Sequence, residues 1–400
     1  MNLKKIRQDF PILQRKINGK PIAYFDNACM TFKPKQVIEA MNDYYYNISA
    51  CAGRSIHKLG SETTIKYEEA REKIQDFINA KESSEIIFTK NTTESINLIA
   101  RSLPLTSGDV VLTTDKEHNS NLIPWHIQKK IRNIQHTVIP SKNDNSFDIE
   151  HFEQMMNKKV KLVSMVHTSN LDGCTIPAQE IIKIAHDYGA LVLLDSAQSV
   201  PGKSVDVQHL DVDCLVFSIH KMLGPTGLGV LYGKHQLLDE LPPFIVGGNT
   251  VEESAYDSSV LLPAPEKFEA GLQNYAGAIG AGAAVDYING IGIENIEKHG
   301  YELNKFITDN LKDLSDVEIV GPNNPKLRDS IITLIFKDHD AHSVAMLLDD
   351  ANIMCRSGVF CVHSWFKAHD IKGAVRISFY FYNTKEECKI LVEKLNEILR

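Results

Sequence analysis

The sequence predicts an α/β protein, with a large domain built on a mostly parallel sheet and a smaller α+β domain toward the C-terminus. Short, near-continuous apolar runs alternate with amphipathic segments in the middle of the chain, a pattern typical of parallel strands covered by helices on both faces. From about residue 300 this alternation gives way to a mixed order of helices and strands. A chain of 400 residues is also too long for one compact core.

Six apolar runs are predicted to be buried strands of the large domain: Ile86–Thr89, Asp109–Thr113, Lys161–Val166, Leu191–Leu194, Cys214–Phe217 and Gly229–Tyr232. Amphipathic helices are predicted at Thr93–Arg101 and Pro177–Tyr188. One long helix, rich in small residues, is predicted over Gly271–His299.

The C-terminal pattern predicts these helices and strands in chain order: a helix at Tyr301–Leu314, strands at Val317–Val320 and Ser330–Phe336, a helix at Ala341–Asp350, a strand at Arg376–Phe381 and a helix at Lys385–Leu399. We therefore expect a large domain over 21–285 and a small domain over 286–400. Residues 1–20 are expected to pack on the small domain.

Charge and composition exclude several classes of function. The net charge is −8 and no long basic run occurs, which argues against nucleic acid or an anionic membrane as the main partner. No apolar stretch approaches the roughly 20 residues that span a bilayer. The N-terminus lacks the apolar core of a signal peptide, so we expect a cytoplasmic protein. Seven scattered cysteines, never spaced CxxC, argue against a disulfide framework and a zinc ribbon.

Asp195 directly follows the apolar run Leu191–Leu194, at the strand end where ligands bind in open α/β sheets. A carboxylate there could keep a pyridine nitrogen protonated, which pyridoxal phosphate (PLP) needs in order to act as an electron sink. Gln198 could then reach the phenolic oxygen of the same ring. The alternative is that Asp195 caps a helix.

Lys221 closes the segment Ser218-Ile219-His220-Lys221, which follows another predicted strand. Its amine could form an imine, while the serine hydroxyl and the imidazole could hold a phosphate. A desolvated lysine near other cations has a lowered pKa and is nucleophilic. The alternative is a solvated loop lysine, but the glycine-rich continuation favours close approach of a ligand.

Three further segments offer contacts at strand ends. Thr92 and Thr93 begin a predicted helix, whose N-terminal N–H groups and hydroxyls could bind phosphate or simply cap the helix. His118 follows the second predicted strand and could stack on a flat cofactor, or be an ordinary loop residue. Asn170 follows the third strand and could bond the cofactor or form a turn.

Nine motifs together resemble a known family, the class V, fold-type I PLP enzymes. Within it they are most similar to the group II, SUF-type cysteine desulfurases and selenocysteine lyases, from about residue 5 to 398. The motifs are DNACMTFKPKQVIEAM, GRSIH, EIIFTKNTTESINLIA, DKEHNSNLIPW, SNLDG, LLDSAQSV, SIHKMLGPTGLGVLYG, FEAG and YNTKEE. The resemblance implies PLP fold type I with a seven-stranded sheet, PLP as cofactor, and a homodimer.

The resemblance also implies roles for individual residues. Lys221 would hold PLP as a Schiff base. The other implied cofactor contacts are stacking by His118, pairing of Asp195 with the pyridine nitrogen, a bond from Gln198 to the phenolic oxygen, and phosphate binding by Thr92, Thr93, Ser218 and His220. The implied substrate contacts are Asn170, Arg376, Arg356 and Ala28. An arginine fork suits a carboxylate, although Arg376 alone could be a surface residue of a strand.

Cys361 stands at the position of the family's nucleophilic cysteine. The implied reaction converts L-cysteine to L-alanine: Lys221 takes the α-proton, and the Cys361 thiolate attacks the substrate sulfur and keeps it as a persulfide. A sulfur-acceptor protein or scaffold would then use this sulfur for iron–sulfur or related biosynthesis. The alternative is a buried structural thiol. A metal site of Cys355, Cys361 and His363 is a further alternative, without recognised ligand spacing.

The loop before Cys361 departs from the family, because Val359 and Phe360 replace two histidines. A more apolar loop raises a thiol pKa unless Arg356 or His363 compensates. This departure keeps a selenocysteine lyase, an epimerase or another β-elimination open as the reaction.

Other departures affect the cofactor site and its entrance. Leu272 stands where the family has a threonine that reaches the partner's phosphate, which keeps open a sulfur-carrier or scaffold with little catalysis. Cys29 and Cys51 add thiols near the expected substrate entrance. They either relay sulfur or fill space.

Overall fold

In the computed structural model, which describes residues 1–53, 55–312 and 314–400, seven strands of the described chain form one sheet. Their order across the sheet is Ile86–Thr89, Gly229–Gly233, Cys214–Ser218, Leu191–Asp195, Val160–Val166, Val110–Thr114 and Gln135–Ile139. Gly229–Gly233 is antiparallel to both of its neighbours, and the other neighbouring pairs are parallel. The predicted mostly parallel, seven-stranded sheet is confirmed.

The apolar runs form strands because both faces of the sheet are buried. Successive side chains of a strand point to opposite faces. In Leu191–Asp195, Val192 and Leu194 belong to one apolar core, whereas Leu193 belongs to a second core on the opposite face. Helices cover both cores, so each strand reads as an unbroken apolar run rather than an alternating one.

Gln135–Ile139 is the strand of the seven-stranded sheet that the sequence analysis missed. It lies at the edge of the sheet, beside Val110–Thr114, and only its last residue is buried. An edge strand with exposed polar residues carries no continuous apolar run, which is why the pattern did not reveal it.

The helices surround the sheets, and their bounds lie within a few residues of most predicted ones. The α-helices in the described residues span Leu3–Arg7, Lys35–Asp43, Lys58–Phe77, Thr92–Ser102, Asn119–Arg132, Ile149–Met155, Ala178–Asp187, Val207–Leu210, His235–Glu240, Tyr275–Ile291, Ile293–Leu311, Ala341–Asp349, His363–Ala368 and Lys385–Ile398.

The single helix predicted over Gly271–His299 is wrong. Two helices, Tyr275–Ile291 and Ile293–Leu311, meet at Gly292, whose φ of 86° lies in the left-handed region that glycine adopts readily. The second helix includes most of the range predicted as a separate helix over Tyr301–Leu314. The small residues of the first helix allow close packing, since a Cβ on Gly280 would lie 2.7 Å from Cγ of Met41.

The C-terminal region contains a four-stranded antiparallel sheet with its own apolar core. The strand order is Val317–Ile319, Ile331–Phe336, Ala374–Ser378 and Arg356–Gly358. Three two-stranded pairs complete the described strands: Lys16–Ile17 with Lys20–Pro21, Val251–Ser254 with Ser259–Leu261, and Ala23–Tyr24 with Ile353–Met354. In the four-stranded sheet, Arg356 pairs directly with Arg376. This register places the two arginines side by side on neighbouring strands.

The N-terminal segment contacts both regions. The Arg7 guanidinium lies 2.8 Å from the Glu387 carboxylate, and Phe10 packs on Tyr382 with ring centroids 4.8 Å apart. Phe10 also meets Tyr287 of the helix Tyr275–Ile291 edge-on, at 5.8 Å. The domain limits stay a prediction.

None of the helices in the described ranges combines the length and apolar character needed to cross a membrane.

His167, just after the strand Val160–Val166, makes folding stability depend on pH. It is 8% exposed, and burial lowers its pKa to about 4. In the unfolded chain its pKa is about 6.5, so below that pH the unfolded state binds a proton that the folded state does not. Stability from this group is therefore lost as pH falls from about 6.5 to 4, by up to about 1.4 kcal/mol per pH unit.

We expect His167→Asn to flatten this slope. Thermal unfolding of both proteins at a series of pH values measures it: the stability advantage of the wild type over the variant should shrink steadily below pH 6.5. A constant difference across the range would contradict the burial of a neutral imidazole.

Candidate active site

A cavity of about 270 Å³ lies at the carboxyl ends of the parallel strands, where loops of both sheets meet. Every residue with a predicted site role lines it: Ala28, Thr92, Thr93, His118, Asn170, Asp195, Gln198, Ser218, His220, Lys221, Arg356, Cys361 and Arg376. Asn91, Ser120 and Thr168 also line it, although the sequence analysis did not select them. The cavity therefore brings together residues from segments more than 300 positions apart.

Lys221 and Asp195 both line the cavity, and each influences the pKa of the other. Lys221 ends a short turn after the strand Cys214–Ser218, and no acceptor in the described residues bonds its Nζ. Desolvation by burial lowers its pKa, while the Asp195 charge opposes that shift. Asp195 is 4% exposed, and its carboxylate accepts one hydrogen bond within the described chain, from the N–H of Ala197 at 3.1 Å. Burial raises the pKa of Asp195 because a buried carboxylate is costly to ionise. A cationic ligand next to it would stabilise the ionised form.

His118 caps the helix Asn119–Arg132 and presents a neutral ring to the cavity. The N–H of Ser120 donates to its Nδ1 at 3.1 Å, which leaves the proton of the neutral ring on Nε2. Burial, together with the charges of Lys221 and Arg376, lowers the pKa of His118 to about 3. An uncharged, fixed imidazole suits stacking on a flat ring.

Glu117 fixes the position of His118 and was not singled out from the sequence. Its buried carboxylate accepts bonds from the N–H of Val166 at 2.9 Å, from Nδ2 of Asn121 at 2.7 Å and from Oγ1 of Thr114 at 2.7 Å. Burial raises the pKa of Glu117 to about 7. These bonds tie the start of the helix to the ends of two strands.

Hydroxyl groups cluster at the N-terminus of the helix Thr92–Ser102. The N–H of Thr92 donates to Oγ of Ser218 at 2.9 Å, and the two hydroxyls lie 2.7 Å apart. Oγ1 of Thr93 lies 2.7 Å from Oγ of Ser120. N–H groups and hydroxyls at a helix N-terminus are suited to bind a phosphate. Nearby, burial lowers the pKa of His220 to about 4, leaving a neutral ring.

Arg376 also lines the cavity, and the surface position considered for it is wrong. It is 3% exposed, its Nη1 donates to the carbonyl of Asn170 at 3.1 Å, and its Nη2 lies 3.4 Å from Oδ1 of Asp26. Its buried Nε has no partner among the described residues. The centroid of the Phe360 ring lies 5.0 Å from the guanidinium carbon, so the ring covers one face of the Arg376 guanidinium.

The Cys361 loop is bonded to Asn119 and Asn170, which follow strands of the seven-stranded sheet. Phe360 and Cys361 have φ angles of 48° and 60°, which are strained for these residues. The N–H of Asn119 donates to the carbonyl of Cys361 at 2.7 Å, and Nδ2 of Asn170 donates to that of Phe360 at 2.9 Å. Phe360 packs inward against Phe366, whereas Cys361 is exposed to the cavity. The alternative of a buried structural thiol is therefore wrong.

The proposed metal alternative has no support among the described residues. No group of three or more His, Cys, Asp or Glu side chains within them is placed to hold a metal ion. Cys355 is partly buried, and burial raises its pKa to about 12, which disfavours the thiolate that a metal requires.

The unpaired groups of the cavity match PLP and an amino-acid substrate. Lys221 offers an amine without a bonded partner, and Asp195 a carboxylate without a cation. Oδ1 of Asn170 and Nε of Arg376 are buried without partners in the described chain, and both border the cavity. Buried unpaired polar atoms are costly, so a ligand that bonds them fits here.

Comparison with known proteins gives an independent line of evidence. The sequence model of the family "Aminotransferase class-V" matches residues 23–391. A relative from Synechocystis sp., named "Probable cysteine desulfurase", is 42% identical over 99% of this chain and 95% of its own. A relative from Haloferax volcanii, named "Cysteine desulfurase", is 36% identical over 99% of this chain and 96% of its own.

Solved structures agree along nearly the whole chain. The apo structure of cysteine desulfurase from Thermococcus onnurineus superimposes with a TM-score of 0.95 at 38% identity, covering 99% of this chain and 98% of that one. The cysteine desulfurase CsdA from Escherichia coli, solved in an S-sulfonic acid form, gives 0.92 at 30% identity, covering 100% and 98%. The chain belongs to the aminotransferase class-V family and has PLP fold type I.

Proposed function

We propose that this protein is a PLP-dependent cysteine desulfurase, which converts L-cysteine to L-alanine and keeps the sulfur as a persulfide on Cys361. One observation carries the proposal: a desolvated amine, Lys221, and an exposed thiol, Cys361, line one cavity with a buried, partly unpaired Arg376. The curated relatives described above bear the same activity in their names.

PLP would occupy the inner part of the cavity. Lys221 would hold its aldehyde carbon, Asp195 would pair with the pyridine nitrogen, His118 would stack on the ring and Gln198 would face the phenolic oxygen. The residues that would hold the phosphate are Thr92, Thr93, Ser218 and His220. When bound, PLP supplies an electron sink for charge that develops at the substrate α-carbon.

The substrate carboxylate would bind at Arg376 and Asn170. The Nε of Arg376 has no hydrogen-bond partner in the described chain. A guanidinium can donate two parallel hydrogen bonds to a carboxylate, so we expect Arg376 to bind the substrate carboxylate in this way. Arg356 and Ala28 also line the cavity. Asp26 accepts bonds from Nε and Nη2 of Arg356, at 3.1 Å and 2.8 Å, and so orients it.

Lys221 and Cys361 would carry the proton and sulfur steps. Lys221, whose pKa is lowered by burial, accepts the α-proton as a neutral amine. The Cys361 thiolate attacks the substrate sulfur, so the new S–S bond forms as the substrate Cβ–S bond breaks. The carbon skeleton keeps the electron pair of that bond, gains protons and leaves as alanine. Atoms balance without an external oxidant.

We expect Arg376→Lys to raise KM for L-cysteine about tenfold, with a smaller change in kcat, because lysine offers a point charge instead of a bidentate fork. Steady-state alanine production measures both constants. An unchanged KM would contradict carboxylate binding by Arg376. Arg15→Lys, on the exposed N-terminal segment, is a matched control that should leave both constants unchanged.

We further propose a homodimer of the group II, SUF-type branch that delivers sulfur to an acceptor protein for iron–sulfur or related biosynthesis. Four large apolar side chains far along the sequence from one another are highly exposed: Tyr46, Ile56, Tyr256 and Leu272. In the proposed dimer, association would bury those of these side chains that lie together in one patch. Sedimentation would test it, since a monomer at micromolar concentration would contradict the dimer.

The other reactions considered are not favoured. A selenocysteine lyase would not need the thiol that the Cys361 loop holds at the cavity, and a sulfur-carrier without catalysis would not need the unpaired Lys221 and Asp195 inside it. Adding L-cysteine to the holoenzyme with a reductant tests the proposal: alanine and sulfide should appear in equal amounts. Sulfide accompanied by pyruvate instead of alanine would contradict it.

A further inference from the structure

A second thiol borders the same cavity. All seven cysteines are in the described residues, and of these only Cys29 and Cys361 line it. Cys51 is exposed elsewhere, and Cys174, Cys214 and Cys388 are buried. Cys29 is partly exposed, so its sulfur is open to whatever enters the cavity.

The backbone around Cys29 is held from several sides. Its N–H donates to the carbonyl of Asp26 at 3.1 Å. The preceding residue, Ala28, donates its N–H to Oγ of Ser378 at 2.9 Å, and its carbonyl accepts from Nε2 of Gln198 at 2.8 Å. The backbone at Ala28 and Cys29 is therefore held both by Gln198, which follows a strand of the seven-stranded sheet, and by Ser378 of the C-terminal sheet.

Arg356 links Cys29 to the strand that leads into the Cys361 loop. Its Nη2 donates to Sγ of Cys29 at 3.0 Å, while its guanidinium is fixed by the Asp26 carboxylate. Arg356 begins the strand Arg356–Gly358, and Cys361 follows three residues after that strand ends. A cationic donor on sulfur supports the negative charge that a nucleophilic thiol carries.

The cavity between the two thiols is built for a ligand, on evidence independent of the cysteines. Nε of Arg376 and Oδ1 of Asn170 are buried, have no partner in the described residues and border the space that Cys29 and Cys361 share. A buried, unpaired donor and acceptor at one cavity indicate a polar occupant. A sulfur species formed there occupies the cavity that both thiols line.

We propose that Cys29 is a second sulfur site, which takes the outer sulfur from the Cys361 persulfide. The Cys29 thiolate attacks that sulfur, so the bond from Cys29 Sγ to it forms as its bond to Cys361 Sγ breaks. Cys361 leaves as a thiolate and takes up the proton that Cys29 lost. The exchange consumes no oxidant or reductant, and it frees Cys361 for another turnover. The inference rests on the proposed desulfurase activity.

A burst experiment tests it. The holoenzyme is mixed with excess L-cysteine, without reductant or acceptor, and stopped with an alkylating reagent at successive times. We expect sulfur first on the Cys361 peptide and then also on the Cys29 peptide, with Cys51 unmodified at early times. We also expect the alanine burst to fall by about half in Cys29→Ser, because only one thiol can then store sulfur.

The controls separate this inference from the proposed function. Cys51→Ser should keep the full burst. Cys361→Ser should leave Cys29 without sulfur, since Cys29 is loaded through Cys361. If alanine forms and Cys361 carries sulfur but Cys29 never does, the second site is wrong and the desulfurase stands. If no alanine forms in the wild type, the proposed function itself is wrong. Equal bursts in wild type and Cys29→Ser would also overturn the second site.

Discussion

Replacing Lys221 with alanine is expected to lower the rate of alanine release from L-cysteine by roughly 10³-fold or more. Lys221 is the amine that holds the cofactor and, in our proposal, the base that takes the α-proton. Among the described residues no other lysine lines the cavity, so no second lysine amine is placed to replace it. The rate of alanine formation and the visible absorbance of bound cofactor measure the two roles.

Lys90→Ala is the matched control for this substitution. Lys90 is an exposed lysine in the loop before the helix Thr92–Ser102, and it does not line the cavity. Its removal should leave the rate within about twofold, as for most surface changes. A Lys221→Ala protein that binds PLP normally and retains most of its activity would show that another group moves the proton.

Cys361→Ser is expected to lower alanine formation from L-cysteine by roughly 10³-fold, because a hydroxyl is a far weaker nucleophile than a thiolate toward sulfur. Binding of PLP should be unchanged, since Cys361 lies at the substrate side of the cavity. The separation between lost turnover and retained absorbance distinguishes a missing nucleophile from a collapsed site.

Cys51→Ser controls for the loss of an exposed thiol. Cys51 does not line the cavity, and this variant should keep wild-type activity. Selenocysteine is the informative second substrate: a lyase reaction on it needs no attacking thiol and should survive in Cys361→Ser. Full activity of that variant on L-cysteine would rule out persulfide formation at Cys361.

The fold could be predicted where burial leaves a pattern in the sequence. Leu191–Asp195 is covered on both faces, so its apolar run marks it as a strand. Gln135–Ile139 lies at an exposed edge and carries no such run. The break at Gly292 depends on one backbone angle, and the flanking residues continue the helical pattern on both sides.

The site could be predicted because parallel strands end at one edge of the sheet. Asp195, His118 and Lys221 each follow a buried strand, so their meeting follows from the topology. The supporting contacts could not be predicted in this way. Asp26 bonds two arginines more than 300 residues away, and only the register of the C-terminal sheet brings those arginines together.

Phe360 shows how an apparent departure from the family can be read in the structure. Its apolar side chain packs against Phe366 and covers one face of Arg376. Cys361 remains exposed to the cavity beside it. The loss of polar character in this loop therefore affects the arginine that would bind substrate as well as the loop itself.

The central claim is that L-cysteine sulfur is transferred to Cys361. The most direct measurement mixes the holoenzyme with less than one equivalent of L-cysteine, without reductant, and stops it at the earliest accessible time with an alkylating reagent. Alanine is then quantified, and the mass of each cysteine-containing peptide is measured by mass spectrometry. Our account predicts alanine equal to the cysteine consumed, and one extra sulfur on the Cys361 peptide. Alanine formed with no added sulfur on that peptide, at any time, would contradict it.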